Sequence, residues 1–546
     1  MKKVLFYKLD QEHCNSLCSS FYKKMSISNL QTYNPCYTKF FTYYNNDSYQ
    51  KYVPRSKELV HTLGNTVTVD ESDNYKKYVF QSKTILKHQK GDTYFDRNIF
   101  VKPIPILDPI EYCKNQYRKP NHYMPNIFSW MTQKKINDTN NAAYVENLAS
   151  FLLSNMTERD ECPSFPLYYG GFMGIMNGYK YDATEEWDNL VEENWFKQAC
   201  KQNKISIELK ENPKYEELFQ SYETYDSYCS KSSQRTDVMD TLEEDTEYVN
   251  EIIDLEKELE GIQVIDAKTY TKDFEPPVLE TEEVSDDFVE ELEPLQLEDC
   301  ERNEEDLDDL EKYKWIKWLR FHEFPVMLCC METMEITLEQ YLNANEISDT
   351  EWKGILFQIC FALAIAYRKY KFIHNDFHCC NIMVVSTPKE FLYYRVKDTY
   401  FKIPTYGKLI KIIDFNRSIF KVGNTQFFSD VFKKDGDAEG QYDYPYSNRE
   451  LHGRRPPNPS FDLARLATTL YEYVSSDSEM YDIFESWTTD NYGTCLLENE
   501  DSFELYLALS NNIKNAKPEE QLYHNIFKEL ICSHNETKKQ KVYKLF

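Results

Sequence analysis

His374-Asn-Asp-Phe-His-Cys-Cys-Asn381, followed at once by the apolar run Ile382-Met-Val-Val385, decides how the rest of the chain is read. Asp376 and Asn381 stand with four residues between them, after a long apolar segment and before a short β-like one. The loop keeps a carboxylate and an amide close together in the chain, groups able to act as a base and as a metal ligand. Further on, Lys411-Ile-Ile-Asp-Phe-Asn416 is an apolar strand ending in a second acid, Asp414. The two phrases together are far harder to obtain by accident than either alone.

The chain has 546 residues, of which 41% are hydrophobic and 15% aromatic, enough for a sizeable core. The net charge of −28 is concentrated in one block, because residues 236–311 hold 31 Asp and Glu against 4 Lys and Arg. That block reads as solvated and disordered, and the remainder is close to neutral. Neither a nucleic-acid nor a membrane partner is expected: a net charge of −28 argues against the first, and the apolar run Gly354–Tyr367 is shorter than the roughly 18–20 residues of a membrane span. The first ten residues show no signal-peptide pattern, which predicts a soluble, cytoplasmic protein. Fifteen scattered cysteines without CxxC spacing predict reduced packing thiols and no metal cluster.

Residues 1–90 show weak periodicity and no element is placed there. Asn98–Leu107 reads as a strand terminated by its prolines, and Asn141–Asn155 as a helix that carries Glu146 on an apolar face, where an acid is costly unless paired. Phe165–Phe172 reads as a strand closed by Gly170-Gly171, and Phe324–Met331 as a buried strand. A short helix begins at Thr337, a long one covers Trp352–Tyr370, and Asn381–Val385 and Lys408–Phe415 are strands. Residues 417–460 look loop-like, Phe461–Val474 is a helix, and further short helices fill the C-terminal seventy residues. Strands early and helices late, joined near residue 332, predict a two-lobed α+β domain.

These residues resemble a eukaryotic-type Ser/Thr protein kinase of the haspin-like kind, and more closely the protein kinases of large DNA viruses. The closer likeness rests on Asn98-Ile-Phe-Val-Lys-Pro-Ile-Pro-Ile-Leu-Asp-Pro109, Ala143-Tyr-Val-Glu146, Phe165-Pro-Leu-Tyr-Tyr-Gly170, Ile403-Pro-Thr-Tyr-Gly407, Gly436-Asp-Ala-Glu-Gly-Gln-Tyr442 and Ser460-Phe-Asp-Leu-Ala-Arg-Leu466. It covers roughly residues 75–175 and 315–480, and under it the compartment is host cytoplasm or virion. The implied layout is an N-terminal extension (1–74), a β-rich N-lobe (75–172), an insertion (173–314), the end of the N-lobe with the hinge (315–334), and a mainly helical C-lobe (335–546).

The resemblance implies ATP and Mg²⁺ as cofactors and protein substrates, basic ones among them if the acidic insertion attracts them. Asp376 would accept a proton from the attacking hydroxyl, with His378 beside it, and Asn381 and Asp414 would hold Mg²⁺. Lys102 would contact the ATP phosphates and Glu146 would hold Lys102. Met331 would be the gatekeeper, and Glu332, Thr333 and Met334 the hinge that meets adenine. His374, Phe415 and Asp462 would be structural, with Asp462 bracing the loop from below. Each has a plainer rival: Lys102 as a surface lysine, Glu146 as a half-exposed helix residue, Asp462 as a helix N-terminal acid, Cys379 and Cys380 as fillers.

The chain departs from the pattern at several points. No Gly-x-Gly-x-x-Gly precedes Lys102, and no Ala-Pro-Glu closes the segment after Asp414. Asn375 stands where such kinases carry Arg, which implies activity independent of loop phosphorylation. Asn416 stands where they carry Gly, and Asn tolerates the left-handed backbone a turn there would need. Two further readings remain open: a small-molecule kinase of the aminoglycoside or choline type, which also places a His two residues after the Asp, and a pseudokinase scaffold.

Overall fold

The computed structural model describes residues 4–40, 46–64, 66–70, 77–81, 84–88, 93–117, 124–128, 133–212, 264–266, 314–443, 456–499 and 502–546. Most of the acidic block 236–311, predicted to be disordered, therefore lies outside the described residues. The architecture is mixed α+β, but strands and helices are not segregated as expected: three of the seven sheets among the described residues lie after residue 335, and two of the three longest helices, Gln11–Met25 and Ala142–Glu158, lie early in the chain.

The sheet nearest the site has six strands in the order Ile27–Gln31, Tyr168–Met176, Phe324–Glu332, Ile99–Pro105, Lys77–Gln81 and Thr66–Asp70, and all its pairs are antiparallel. Two of its central strands are nearly continuous runs of buried residues, as expected of strands covered on both faces. The Ile99–Pro105 strand does not end at its first proline. It pairs with Phe324–Glu332 along its whole length, but with Lys77–Gln81 only over Ile99–Val101. Pro103 and Pro105 thus fall where the second neighbour is absent and a missing N–H breaks no inner ladder.

Gly170 and Gly171 do not close their strand either; it runs through them to Met176. Gly170 adopts φ +132°, a conformation that favours glycine, and sits at a bulge in the register with Phe324–Glu332. Gly171 answers a different demand. A Cβ there would stand 2.2 Å from the Asn147 side chain and 2.5 Å from the Tyr168 hydroxyl, because the Ala142–Glu158 helix lies directly on this strand.

Residues 1–74 contribute two strands to this sheet, Ile27–Gln31 and Thr66–Asp70, and a helix, Gln11–Met25, capped by Asp10, whose carboxylate accepts from His13 N at 2.7 Å. Residues 173–212 supply Tyr179–Asp182 and Ile205–Glu211. Both pair with Trp315–Phe321 in a separate four-stranded sheet.

The Asp349–Tyr370 helix is buried from Trp352 to Ala366. One covering layer is a hairpin that the sequence did not suggest, Phe391–Val396 with Thr399–Pro404. Phe357 packs on Tyr394 and Phe401, and Phe361 packs on Tyr394, with ring centroids 4.5–5.3 Å apart. The C-terminal strand Val542–Leu545 joins this hairpin in parallel. Residues 417–460, read as loop, contain a second hairpin, Ile419–Val422 with Thr425–Phe428; alternation is too brief in four-residue strands to register in the sequence. Among the described residues no helix is long and apolar enough to cross a membrane, and thirteen cysteines are free thiols.

Replacing Gly171 by Ala should lower stability by about 1–3 kcal/mol through overpacking against Asn147. In denaturant unfolding, the G171A/N147A pair should lose less than the sum of the single changes; strict additivity would mean that the two residues are not in steric conflict.

Candidate active site

Lys102 lies mid-strand opposite Cys329, and its Nζ stands 2.8 Å from Glu146 Oε1 and 2.9 Å from Asp414 Oδ2. Three segments far apart in sequence thus meet at one ammonium. Burial opposes the charge on Lys102, yet the two carboxylates outweigh it and hold the group well above the ordinary lysine range. Burial pushes Glu146 up against the pull of Lys102. Burial also disfavours the Asp414 anion, but the Lys102 ammonium holds that carboxyl below its usual range. The acid on an apolar helix face is therefore paired.

The helix that carries Glu146 is fixed at its start by two side chains. Asn141 Oδ1 accepts from Ala143 N at 3.1 Å, and buried Asp430 accepts from Ala142 N at 3.0 Å while pairing with Lys135. Asp430 lies within the stretch read as loop, so no sequence periodicity signalled it.

The Asp349–Tyr370 helix ends at Lys371 in the left-handed conformation (φ 51°), and the chain passes directly into the His374–Asn381 loop. Ile373 bridges to Ile419, which ties the loop's start to the second hairpin. Asp462, at the start of the Phe461–Leu470 helix, accepts from the backbone N–H groups of His374 and Asn375, each at 2.9 Å. Burial raises its carboxyl to about 7, against the pull of those two hydrogen bonds. Asn375 takes φ 64°, and its side-chain amide donates to Arg417 O at 3.1 Å. His374 bonds Ile413 O through Nε2 at 2.7 Å, and burial holds its imidazole below the usual range. Its ring packs on Phe415, which also meets Phe372 edge-on.

Asn381 donates through Nδ2 to Asp376 O at 2.8 Å and lies 3.0 Å from His378 Nε2. Both amide protons are thereby used within the loop, leaving the Asn381 carbonyl oxygen for other work. His378 serves that amide. Asp376 Oδ1 accepts from the Tyr506 hydroxyl at 3.2 Å, and Arg417 Nε stands 3.8 Å from Oδ2. Tyr506 comes from the Phe503–Asn512 helix and its ring faces the Arg465 guanidinium at 4.9 Å. Sequence reasoning named none of Tyr506, Arg417 and Asp430.

The left-handed residue of the Asp414 turn is Asp414 itself (φ 60°), so the expected tolerance of Asn416 is not what the turn uses. Met331 is buried between Phe100 and Tyr168 in register, Glu332 pairs with Lys411, and half-buried Thr333 and Met334 follow the strand's end. Glu339 and the adjacent Cys379 and Cys380, which sequence spacing did not single out as a cluster, bring their potential ligand atoms within 4.8 Å of one another.

No family model matches the chain. It is 32% identical over 94 residues to serine/threonine-protein kinase haspin of Bos taurus, a stretch covering 17% of this chain and 12% of that protein. It is 31% identical over 106 residues to the Mus musculus haspin, covering 19% and 14%, and 29% identical over 89 residues to the Drosophila melanogaster haspin homolog, covering 16% of each. The match thus spans less than a fifth of either partner's length. It supports a distant kinase-like relationship at the level of haspin-like Ser/Thr kinases; the viral likeness rests on the local phrases alone.

Asp462→Asn should cost about 1.5–3 kcal/mol, because an amide accepts through only one oxygen and aims an NH₂ group at a backbone donor. A denaturation midpoint unchanged from wild type would remove Asp462 from its bracing role.

Proposed function

We propose that this chain is an ATP- and Mg²⁺-dependent protein kinase that transfers the γ-phosphoryl group to Ser/Thr hydroxyls of proteins, on a two-lobed kinase fold. The observation that carries it is the meeting of Lys102 with Glu146 and Asp414, beside a loop on which Asn381 and Asp376 are hydrogen-bonded to each other. The residues present suit Mg²⁺: buried Asp414 Oδ1 has no hydrogen-bond partner, and Asn381 keeps its carbonyl oxygen. Both are hard oxygen donors. When bound, Mg²⁺ neutralises charge on the phosphate oxygens.

In this reading Lys102, held by Glu146, donates to the ATP phosphates. Asp376 takes the proton of the attacking hydroxyl, its carboxylate oriented by Tyr506 and Arg417. His378 fixes the Asn381 amide, and Asp462 fixes the backbone beneath. Met331 and Glu332 to Met334 border the adenine site. Strands Thr66–Asp70 and Lys77–Gln81, on the far side of the Lys102 strand from Phe324–Glu332, would carry the phosphate-covering loop. Their connection, residues 71–76, lies outside the described residues and contains no glycine.

The test is transfer from radiolabelled ATP with Mg²⁺ to the protein itself, to basic proteins, and to aminoglycoside and choline acceptors. Asp376→Asn should lower kcat by roughly 10²–10⁴-fold, and Lys102→Met should abolish productive ATP binding. Wild type indistinguishable from both variants would leave the scaffold reading; transfer to small alcohols alone would leave the small-molecule kinase.

If the acidic block recruits basic substrates, deleting residues 236–311 should raise KM for them at low salt, with the difference fading as ionic strength rises. A KM unchanged at every salt concentration would reduce the block to a solvated insertion.

A further inference from the structure

We propose that Glu339, Cys379 and Cys380 bind a thiophilic divalent cation of the zinc type, at a site separate from the Asn381 and Asp414 pair. Consecutive side chains on an extended chain point to opposite faces, which ordinarily keeps adjacent cysteines from sharing a ligand. Here Cys379–Asn381 is a 3₁₀ turn, and both sulfurs lie within 4.8 Å of each other and of a Glu339 carboxylate oxygen.

The backbones beneath these groups are fixed independently of any ion. Asn381 N donates to His378 O at 3.0 Å, and Cys379 N to Thr469 Oγ1 at 3.3 Å. Glu339 lies in the first turn of the Leu338–Asn343 helix, whose capping box joins Thr337 and Gln340 through bonds of 3.0 and 3.1 Å. Strand Ile336–Thr337 pairs with Ile382–Ser386, which locks the helix bearing Glu339 to the residues just after the cysteines.

Zinc binds thiolate sulfur at about 2.3 Å and carboxylate oxygen at about 2.0–2.2 Å in a tetrahedron, so ligand atoms sit about 3.5–3.8 Å apart. Closing from the present separations asks for about 1 Å at most, within reach of side-chain rotation. Two sulfurs and one oxygen favour a borderline-soft ion over Mg²⁺, which requires oxygen. Cys379 is buried while Cys380 and Glu339 are half-exposed, so an ion has an anchor and a path of entry, with water completing the fourth position. Bound there, it would clip the loop carrying Asp376 and Asn381 to the helix that follows Glu332. This inference does not rest on the phosphoryl-transfer reading.

The full chain, kept reduced and stripped with EDTA, is titrated with Zn²⁺ against a chromophoric chelator and with Cd²⁺ for thiolate-to-metal absorption. Wild type should bind one equivalent more than Cys379→Ser/Cys380→Ser. Glu339→Gln, at a half-exposed helix position, should weaken binding about tenfold or more while leaving the Tm of the metal-free protein unchanged. If the double variant misfolds, Cys380→Ala and Glu339→Gln decide the matter. Stoichiometry and affinity equal to wild type in both would overturn the site, as would wild type without a Cd²⁺–thiolate band.

Discussion

A buried ammonium needs its charge answered, and the structure around the site depends on how Lys102 is answered. Its strand belongs to the six-stranded sheet, Glu146 to a helix lying on that sheet, and Asp414 to a turn more than three hundred residues further on. No one segment carries a complete pair, so an uncompensated charge appears whenever one is displaced. The glycines of the Tyr168–Met176 strand are part of the same constraint, since Gly171 lets the Glu146 helix approach closely enough for its carboxylate to reach Lys102.

A second constraint operates beneath the His374–Asn381 loop. A loop carrying left-handed Asn375 next to the Asp376 carboxylate would be free to rearrange if its backbone donors faced only water. Asp462 collects two of them, Asn381 ties back to Asp376 O, and Ile373 joins the second hairpin. The loop is thus held from below, within, and at its start, while the Asp376 carboxylate stays reachable by Tyr506 and Arg417. The one cation near Asp376 among the ion pairs described, Arg417, reaches it from beyond Asp414.

The acid pair, the amide, the lysine, Glu146 and the long apolar helix were legible because each sits in a short phrase whose spacing carries its meaning. The α+β character was legible for the same reason, from runs of five or more residues with clear periodicity. What escaped was too short, too uniformly apolar or too remote. The 419–428 hairpin has four-residue strands, the six-residue strands of the 391–404 hairpin carry aromatic or apolar residues on both faces, and the internal Pro103, Gly170 and Gly171 were read as endings. In the sheet they mark instead where a neighbour is missing or a helix comes close.

The sequence by itself determined which groups are available: two carboxylates, an amide and a lysine, an acidic block, and thiols without recognisable metal spacing. Only the tertiary structure decided who meets whom. It brought Tyr506, Arg417 and Asp430 to the site and set Glu339 beside the adjacent cysteines. The reason is physical: periodicity and propensity act over a few residues, whereas ion pairing, capping from a distant loop and ligand clustering depend on how packed elements approach one another.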